Sequence, residues 1–130
     1  MKAVVYTKYG GPEQLSITEV PAPRPGDREV LIKVHAVSIN DCDWQLLQGI
    51  PFVNRLINGI RWPKRQILGS DVAGTVEQAG AAVTRFVPGD RVYGDLSNRW
   101  GGFAEYVCAP ENSLARMPEA MSFTDAAAIP

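Results

Sequence analysis

The chain has few of the residues that build disulfide frameworks and metal sites. Its 130 residues include two cysteines, Cys42 and Cys108, and one histidine, His35. Small secreted domains usually contain more cysteine, so this count predicts free thiols in a reducing compartment and indicates a cytoplasmic protein. Zinc sites use closely spaced pairs of Cys or His, and the sequence contains no such pair. A zinc lobe built from four cysteines is excluded.

An excess of one charge sign and long hydrophobic runs are also absent. Thirteen Lys plus Arg oppose fourteen Asp plus Glu, and the net charge is -1. This balance predicts neither nucleic acid nor an anionic membrane as a partner. No apolar run approaches the roughly 18 residues of a membrane span. Hydrophobic residues make up 45% of the chain, which is ordinary for a folded domain.

The common motifs of nucleotide binding and acyl transfer are missing as well. Neither a G-x-G-x-x-G turn, a phosphate-binding P-loop nor a G-x-S-x-G elbow occurs. His35 shares strand parity with Lys33, which predicts a solvent-facing imidazole rather than a base. Cys42 lies between two carboxylates that disfavour a reactive thiolate, so it is predicted to be a packing residue. Asp43 and Asp71 are either an acid–base pair or, more simply, a helix cap and a surface charge.

Glycine and proline are frequent, with 12 and 10 residues, and they divide the chain into short segments. The pattern predicts strands at 2–7, 15–20, 29–39, 70–78, 91–94, 103–109 and 113–116. It predicts a helix that Asn40 or Asp41 caps, that runs through Gln48 and that ends at Gly49, and another that Ser122 caps and that covers 123–129. Residues 50–66 are predicted to be a lid or connecting loop. We therefore expect a mainly β fold, a partly open barrel with a few short helices.

Three spaced motifs in the second half of the chain carry a resemblance to a known family. They are Gly-Ser-Asp at 69–71, Pro-Gly-Asp-Arg-Val at 88–92 and Gly-Phe-Ala-Glu-Tyr-Val at 102–107. With Asn40 and Asp43 upstream, the pattern resembles the N-terminal, GroES-like domain of medium-chain dehydrogenases and reductases. The resemblance extends over nearly the whole chain.

Two departures from the family pattern indicate the subtype. The zinc-dependent alcohol dehydrogenases of this family carry Gly-His-Glu where this chain has Gly69-Ser70-Asp71, and a cysteine ligand where it has Asn40. The chain therefore resembles the zinc-free quinone oxidoreductases and related enone reductases. That resemblance implies NADPH as the cofactor, no zinc, and hydride transfer to a quinone or an α,β-unsaturated carbonyl.

The resemblance also implies which residues form the site. Asn40, Asp43 and Ser70 are the expected catalytic residues, and Asn40 is expected to contact the nicotinamide ribose or the substrate. Trp44 and Phe52 are expected to shape the substrate wall. Residues 52–62 are interpreted either as a hydrophobic lid over the acceptor or as an ordinary packed loop.

In the family a nucleotide-binding domain follows this segment, so we expect one after Pro130 and expect a homo-oligomeric full-length protein. The 130 residues alone are then expected neither to bind NADPH tightly nor to turn over. Two alternatives stay open. One is a stand-alone GroES-like interaction module, since fold does not fix function. The other is an alcohol dehydrogenase with a relocated metal site.

Overall fold

The computed structural model describes all residues from Met1 to Pro130. It contains seven strands, β1 to β7 in chain order: Lys2–Val5, Ser16–Glu19, Glu29–Val37, Asp71–Ala79, Arg91–Asp95, Tyr106–Pro110 and Leu114–Arg116. Its three α-helices, α1 to α3, are Asp41–Gln48, Val53–Asn58 and Phe123–Ala127. The predicted mainly β fold with a few short helices is confirmed.

The strands form two sheets. β1 and β2 pair as an antiparallel hairpin, and the other five strands form an antiparallel sheet in the order β6-β3-β4-β5-β7. The larger sheet does not close, because β6 and β7 are its two edges. A single bridge between Ala3 and Ala104 links the hairpin to the chain just before β6. The barrel is therefore open, as predicted.

The core lies on one face of the five-stranded sheet. Alternate residues of each strand point to it, because side chains in a strand project to opposite faces in turn. Val30, Ile32, Val72 and Val92 are fully buried there, and Phe86 covers them from the loop before β5. This packing fixes β3 beside β4, so the end of β3 lies next to the start of β4.

The helix α1 begins and ends where the sequence predicts. Asn40 is its N-cap residue, and Gly49 ends it in the left-handed conformation with φ 66°. Leu46 and Leu47 pack into a second buried cluster with Tyr6, Leu68 and Trp100. That packing holds the last turn of α1 against Leu68, in the segment that leads into β4.

The strand β6 begins at Tyr106, three residues later than predicted. The backbone of Phe103 is already used elsewhere, since its N–H donates to Leu68 O and its carbonyl accepts the Val4 N–H. The helix α3 has the predicted cap, with Ser122 Oγ accepting the Asp125 N–H at 3.0 Å, but it ends at Ala127.

Residues 50–66, predicted to be a lid or connecting loop, contain the short helix α2. The side of α2 that faces the protein is polar. Asn58 is 1% exposed, its Nδ2 donates to Tyr6 Oη at 3.0 Å, and its Oδ1 accepts the Arg65 N–H at 2.9 Å. Burial raises the pKa of Tyr6 to about 12, so the phenol stays neutral. This buried polar contact fixes α2 on the domain.

We expect Asn58→Ala to lower the free energy of unfolding by about 2 kcal/mol, because it leaves the Tyr6 hydroxyl and the Arg65 N–H without their partner. Urea denaturation measures the loss. Asn54→Ala is the matched control on the same helix, since the Asn54 amide only donates to Ile50 O in an exposed position. Equal losses of unfolding free energy in the two variants would show that the buried contact of Asn58 contributes no more to stability than the exposed contact of Asn54.

Candidate functional site

The side chain of Asn40 lies at the centre of a polar cluster between α1 and the start of β4. Its Nδ2 donates to Asp71 Oδ2 at 2.7 Å and faces Ser70 Oγ at 3.3 Å. Ser38 Oγ is 3.4 Å from the same nitrogen. Two of the three residues predicted from the sequence, Asn40 and Ser70, therefore meet in space although 30 residues separate them.

Asp71 is the acceptor that holds this cluster together. Besides the amide of Asn40, it accepts the Ser38 hydroxyl at Oδ2, at 3.1 Å, and the Ser70 hydroxyl at Oδ1, at 3.2 Å. Its side chain is buried, at 6% exposed. The interpretation of Asp71 as a surface charge is wrong, because Ser38, Asn40 and Ser70 surround its carboxylate and keep it from solvent.

Ser38 was not predicted as a site residue. Its position follows from the pairing of β3 with β4, which continues past the last strand residue as the Ser38 N–H donates to Asp71 O at 3.2 Å. The signal available in the sequence was its place just after β3 and two residues before Asn40. Without the strand register, that place indicates no partner.

Asp43, the third predicted residue, is buried and ties α1 to the loop before β4. Its Oδ2 accepts the Asn40 N–H at 2.8 Å, and its Oδ1 accepts the Gly69 N–H at 2.8 Å. Burial raises the pKa of Asp43, these two backbone donors oppose the rise, and the nearby Asp71 adds to it. Asp43 therefore caps the helix, as one interpretation predicts, and also fixes the loop that carries Ser70.

The cluster contains two carboxylates and no cation. The three ion pairs of the structure lie elsewhere and involve neither Asp43 nor Asp71. Only neutral donors satisfy the two acids, and Asn40 serves both of them, through its backbone N–H and its side-chain amide. A site of this kind holds a fixed array of hydrogen bonds and a negative potential.

The two predicted wall residues lie outside the hydrogen-bonded cluster. Trp44 is one helical turn after Asn40 and is 46% exposed, while Phe52 is 61% exposed just before α2. Both are free to contact a ligand. The alternative interpretation of 52–62 as an ordinary packed loop is wrong for its large apolar side chains, which face outward.

The remaining candidates lie apart from the cluster. His35 is exposed, as predicted, with its ring stacked on Phe123 at 4.2 Å between centroids. Cys42 is exposed, so its interpretation as a packing residue is wrong, because it projects from the outer side of α1. Burial raises the pKa of Cys108 to about 11. Both thiols are free, as predicted.

Comparison with known proteins places the chain in one family. Residues 26–119 match the alcohol dehydrogenase GroES-like domain, and the chain belongs to that family. A chloroplastic quinone-oxidoreductase homolog of Spinacia oleracea is 40% identical over 134 residues, which cover 100% of this chain and 39% of the relative.

Solved structures agree with the sequence comparison. The quinone oxidoreductase from Coxiella burnetii matches with a TM-score of 0.88 at 33% identity, over 100% of this chain and 41% of that one. The Escherichia coli quinone oxidoreductase complexed with NADPH matches with a TM-score of 0.83 at 27% identity, over 99% and 37% of the two chains. The chain spans about two fifths of the length of these relatives.

Proposed function

We propose that this domain forms the substrate side of an oxidoreductase that reduces quinones or α,β-unsaturated carbonyls with NADPH. The observation that carries the proposal is the contact of Asn40 with Ser70 and Asp71, since Asn40 and Ser70 are two of the three catalytic residues that the resemblance implies. The cofactor supplies a hydride, and the side chains supply position and charge. The relatives named quinone oxidoreductase, one of them complexed with NADPH, support this reading.

The orientation of Asn40 follows from Asp71. A carboxylate accepts hydrogen bonds and does not donate them, so the amide nitrogen must face it and the carbonyl oxygen must point away. We assign that oxygen to a donor on the bound molecules, such as a ribose hydroxyl. Asp43 and Asp71 place negative charge at the site, which would favour a positively charged nicotinamide bound beside them. Trp44 and Phe52 border the acceptor in this proposal.

The donor set does not fit zinc. Zinc binds thiolate, imidazole and carboxylate, and the structure contains no cluster of three His, Cys, Asp or Glu that could hold a metal. Asn40 turns its amide nitrogen, which is not a metal ligand, toward the other groups. Asp71 is the one residue with a zinc-type donor that contacts the Asn40 side chain. Both oxygens of the Asp71 carboxylate already accept hydrogen bonds within the chain. We therefore propose a zinc-independent reaction.

The test is NADPH oxidation by the gene-length protein with benzoquinone and with a simple enone. The control is the reduction of NADP⁺ by an alcohol. The proposal predicts turnover with a quinone or an enone that a chelator leaves unchanged. Loss of activity on chelation, recovered with zinc, would contradict the metal-independent mechanism. Alcohol oxidation without quinone or enone reduction would contradict the substrate class.

We also propose that a nucleotide-binding domain completes the enzyme, because the relatives are about two and a half times as long. We then expect the 130-residue chain alone to show no saturable NADPH binding in the micromolar range and no turnover. Titration calorimetry beside the gene-length protein measures this. Micromolar binding by the isolated chain would contradict the expectation.

Compartment and assembly are also proposals. No helix of the structure is long and apolar enough to cross a membrane. We propose the cytoplasm, on the evidence of two free thiols, and a homo-oligomer for the gene-length protein.

A further inference from the structure

The outward side of α2 and of the loop after it is apolar. Six large side chains there are each more than half exposed: Phe52, Val53, Leu56, Ile57, Ile60 and Trp62. We call these six residues the apolar face. Isolated exposed apolar residues are common, but six within eleven positions form a contiguous patch of the kind that marks an interaction site.

The orientation of α2 reverses the usual arrangement of a surface helix. Such a helix buries its apolar stripe and exposes its polar side. Here the polar residues Arg55 and Asn58 face the protein, and Asn58 is buried against Tyr6. Arg55 donates to Gly49 O and lies over the Tyr9 ring, 4.7 Å from its centroid. The apolar face is therefore held outward by specific contacts on its other side.

The charged residues of the segment that carries the apolar face are all basic. Four of the chain's 13 basic residues and none of its 14 acidic residues lie between Trp44 and Ser70. None of the four forms an ion pair. Arg61 and Lys64, next to Trp62, are exposed, and their side chains make no hydrogen bond within the chain. The net charge of -1 for the whole chain conceals this local excess, which is why the composition predicts no membrane partner.

Outward apolar side chains that include Trp and Phe, flanked by unpaired Lys and Arg, match the chemistry of an anionic lipid surface. A second copy of the chain fits less well, because a symmetric contact would bring the same cations together. We propose that the apolar face, with Arg61 and Lys64, docks the domain on the surface of an anionic membrane without crossing it.

Docking of this kind would let a lipid-dissolved molecule reach the domain beside Phe52. The docking proposal itself does not depend on the proposed reaction, and its test measures no turnover.

The experiment is co-sedimentation of the 130-residue chain, and separately of the gene-length protein, with vesicles. One set is phosphatidylcholine alone and the other contains phosphatidylglycerol as well. We expect binding to the anionic vesicles that weakens as salt is raised, because salt screens exposed charges. We expect Arg61→Glu with Lys64→Glu to lower the partition at least about tenfold, since each cation near such a surface contributes about a factor of five.

Leu56→Asp with Ile57→Asp tests the apolar part and is expected to abolish binding. The matched controls are Arg24→Glu with Arg28→Glu, an equal charge change on exposed residues elsewhere, and Ile17→Asp, at an isoleucine that is 76% exposed on β2. Both controls are expected to bind like the parent, and thermal unfolding checks that every variant folds.

Four results would overturn the proposal. They are no binding to either vesicle, equal binding to both, equal losses in the controls, and binding by the short chain but not by the gene-length protein. The last result would show that the rest of the protein covers the apolar face. A dimer that the Leu56 and Ile57 changes disrupt, without vesicle binding, would assign the face to a second copy instead.

Discussion

Replacing Asn40 with Asp is expected to lower kcat/KM of the gene-length protein about a hundredfold or more, on the function proposed above. The change keeps the size of the side chain but replaces the amide donor with a second carboxylate, where Asp71 needs the donor at 2.7 Å. Two acids would then share one buried position with no cation near them. The side chain would rotate away or take up a proton, and the acceptor oxygen would lose its fixed place.

The same substitution is expected to destabilise the 130-residue chain by about 2 kcal/mol at neutral pH, because it adds an unpaired charge to the cluster. The proximity of Asp71 raises the pKa of the introduced carboxyl group in the folded state above its unfolded value of about 4. Between the unfolded pKa of about 4 and the higher folded pKa, the folded variant therefore binds more protons than the unfolded variant. The loss of stability is therefore complete above the folded pKa and disappears as the pH falls below about 4.

Two comparisons separate charge from structure in this prediction. Asn40→Ala removes the donor without adding a charge, so its cost in stability should lack the pH dependence of the Asp variant. Asn112→Asp makes the same chemical change at an exposed position and should change neither activity nor stability. If the free energies of unfolding of Asn40→Asp and Asn40→Ala depend on pH in the same way, the proposed repulsion between the introduced carboxyl group and Asp71 is contradicted.

Local signals in the sequence predicted much of the fold. Asn40 and Gly49 mark the ends of α1, and Ser122 marks the start of α3, because capping depends on neighbouring residues only. The family resemblance names Asn40 and Ser70 as site residues, and in the structure Asn40 Nδ2 lies 3.3 Å from Ser70 Oγ. Features that depend on distant parts of the chain were harder to predict.

The burial of Asp71 and the role of Ser38 could not be predicted from the local sequence pattern. Alternation along β4 assigns residues to two faces but does not show that Ser38 and Asn40 lie against the start of the strand, so the buried Asp71 was interpreted as a surface charge. The Ser38 hydroxyl has a role only through the register between β3 and β4. In α2 the contact between Asn58 and Tyr6 turns the polar side of the helix inward, and no local pattern in the sequence indicates that contact.

Asp43→Ala is expected to lower the free energy of unfolding of the chain by about 3 kcal/mol, because it deprives two partly or fully buried backbone N–H groups of their acceptors at once. These are the N–H of Asn40, where α1 begins, and the N–H of Gly69, just before Ser70. Urea denaturation of the chain measures the loss. Asp41→Ala is the matched control, since Asp41 lies in the same helical turn but is exposed, and it should cost much less.

The pH dependence of that loss has a definite sign. Burial raises the pKa of Asp43 above the ordinary 3.8, so between 3.8 and the raised value the folded chain binds more protons than the unfolded chain. The stability contributed at Asp43 is therefore greatest below this interval and falls as the pH rises through it. Asp43→Ala removes the titration, so the difference in stability between parent and variant should narrow as the pH rises. A difference that widens with pH would mean that the two backbone donors outweigh burial, and that the pKa of Asp43 is lowered in the fold.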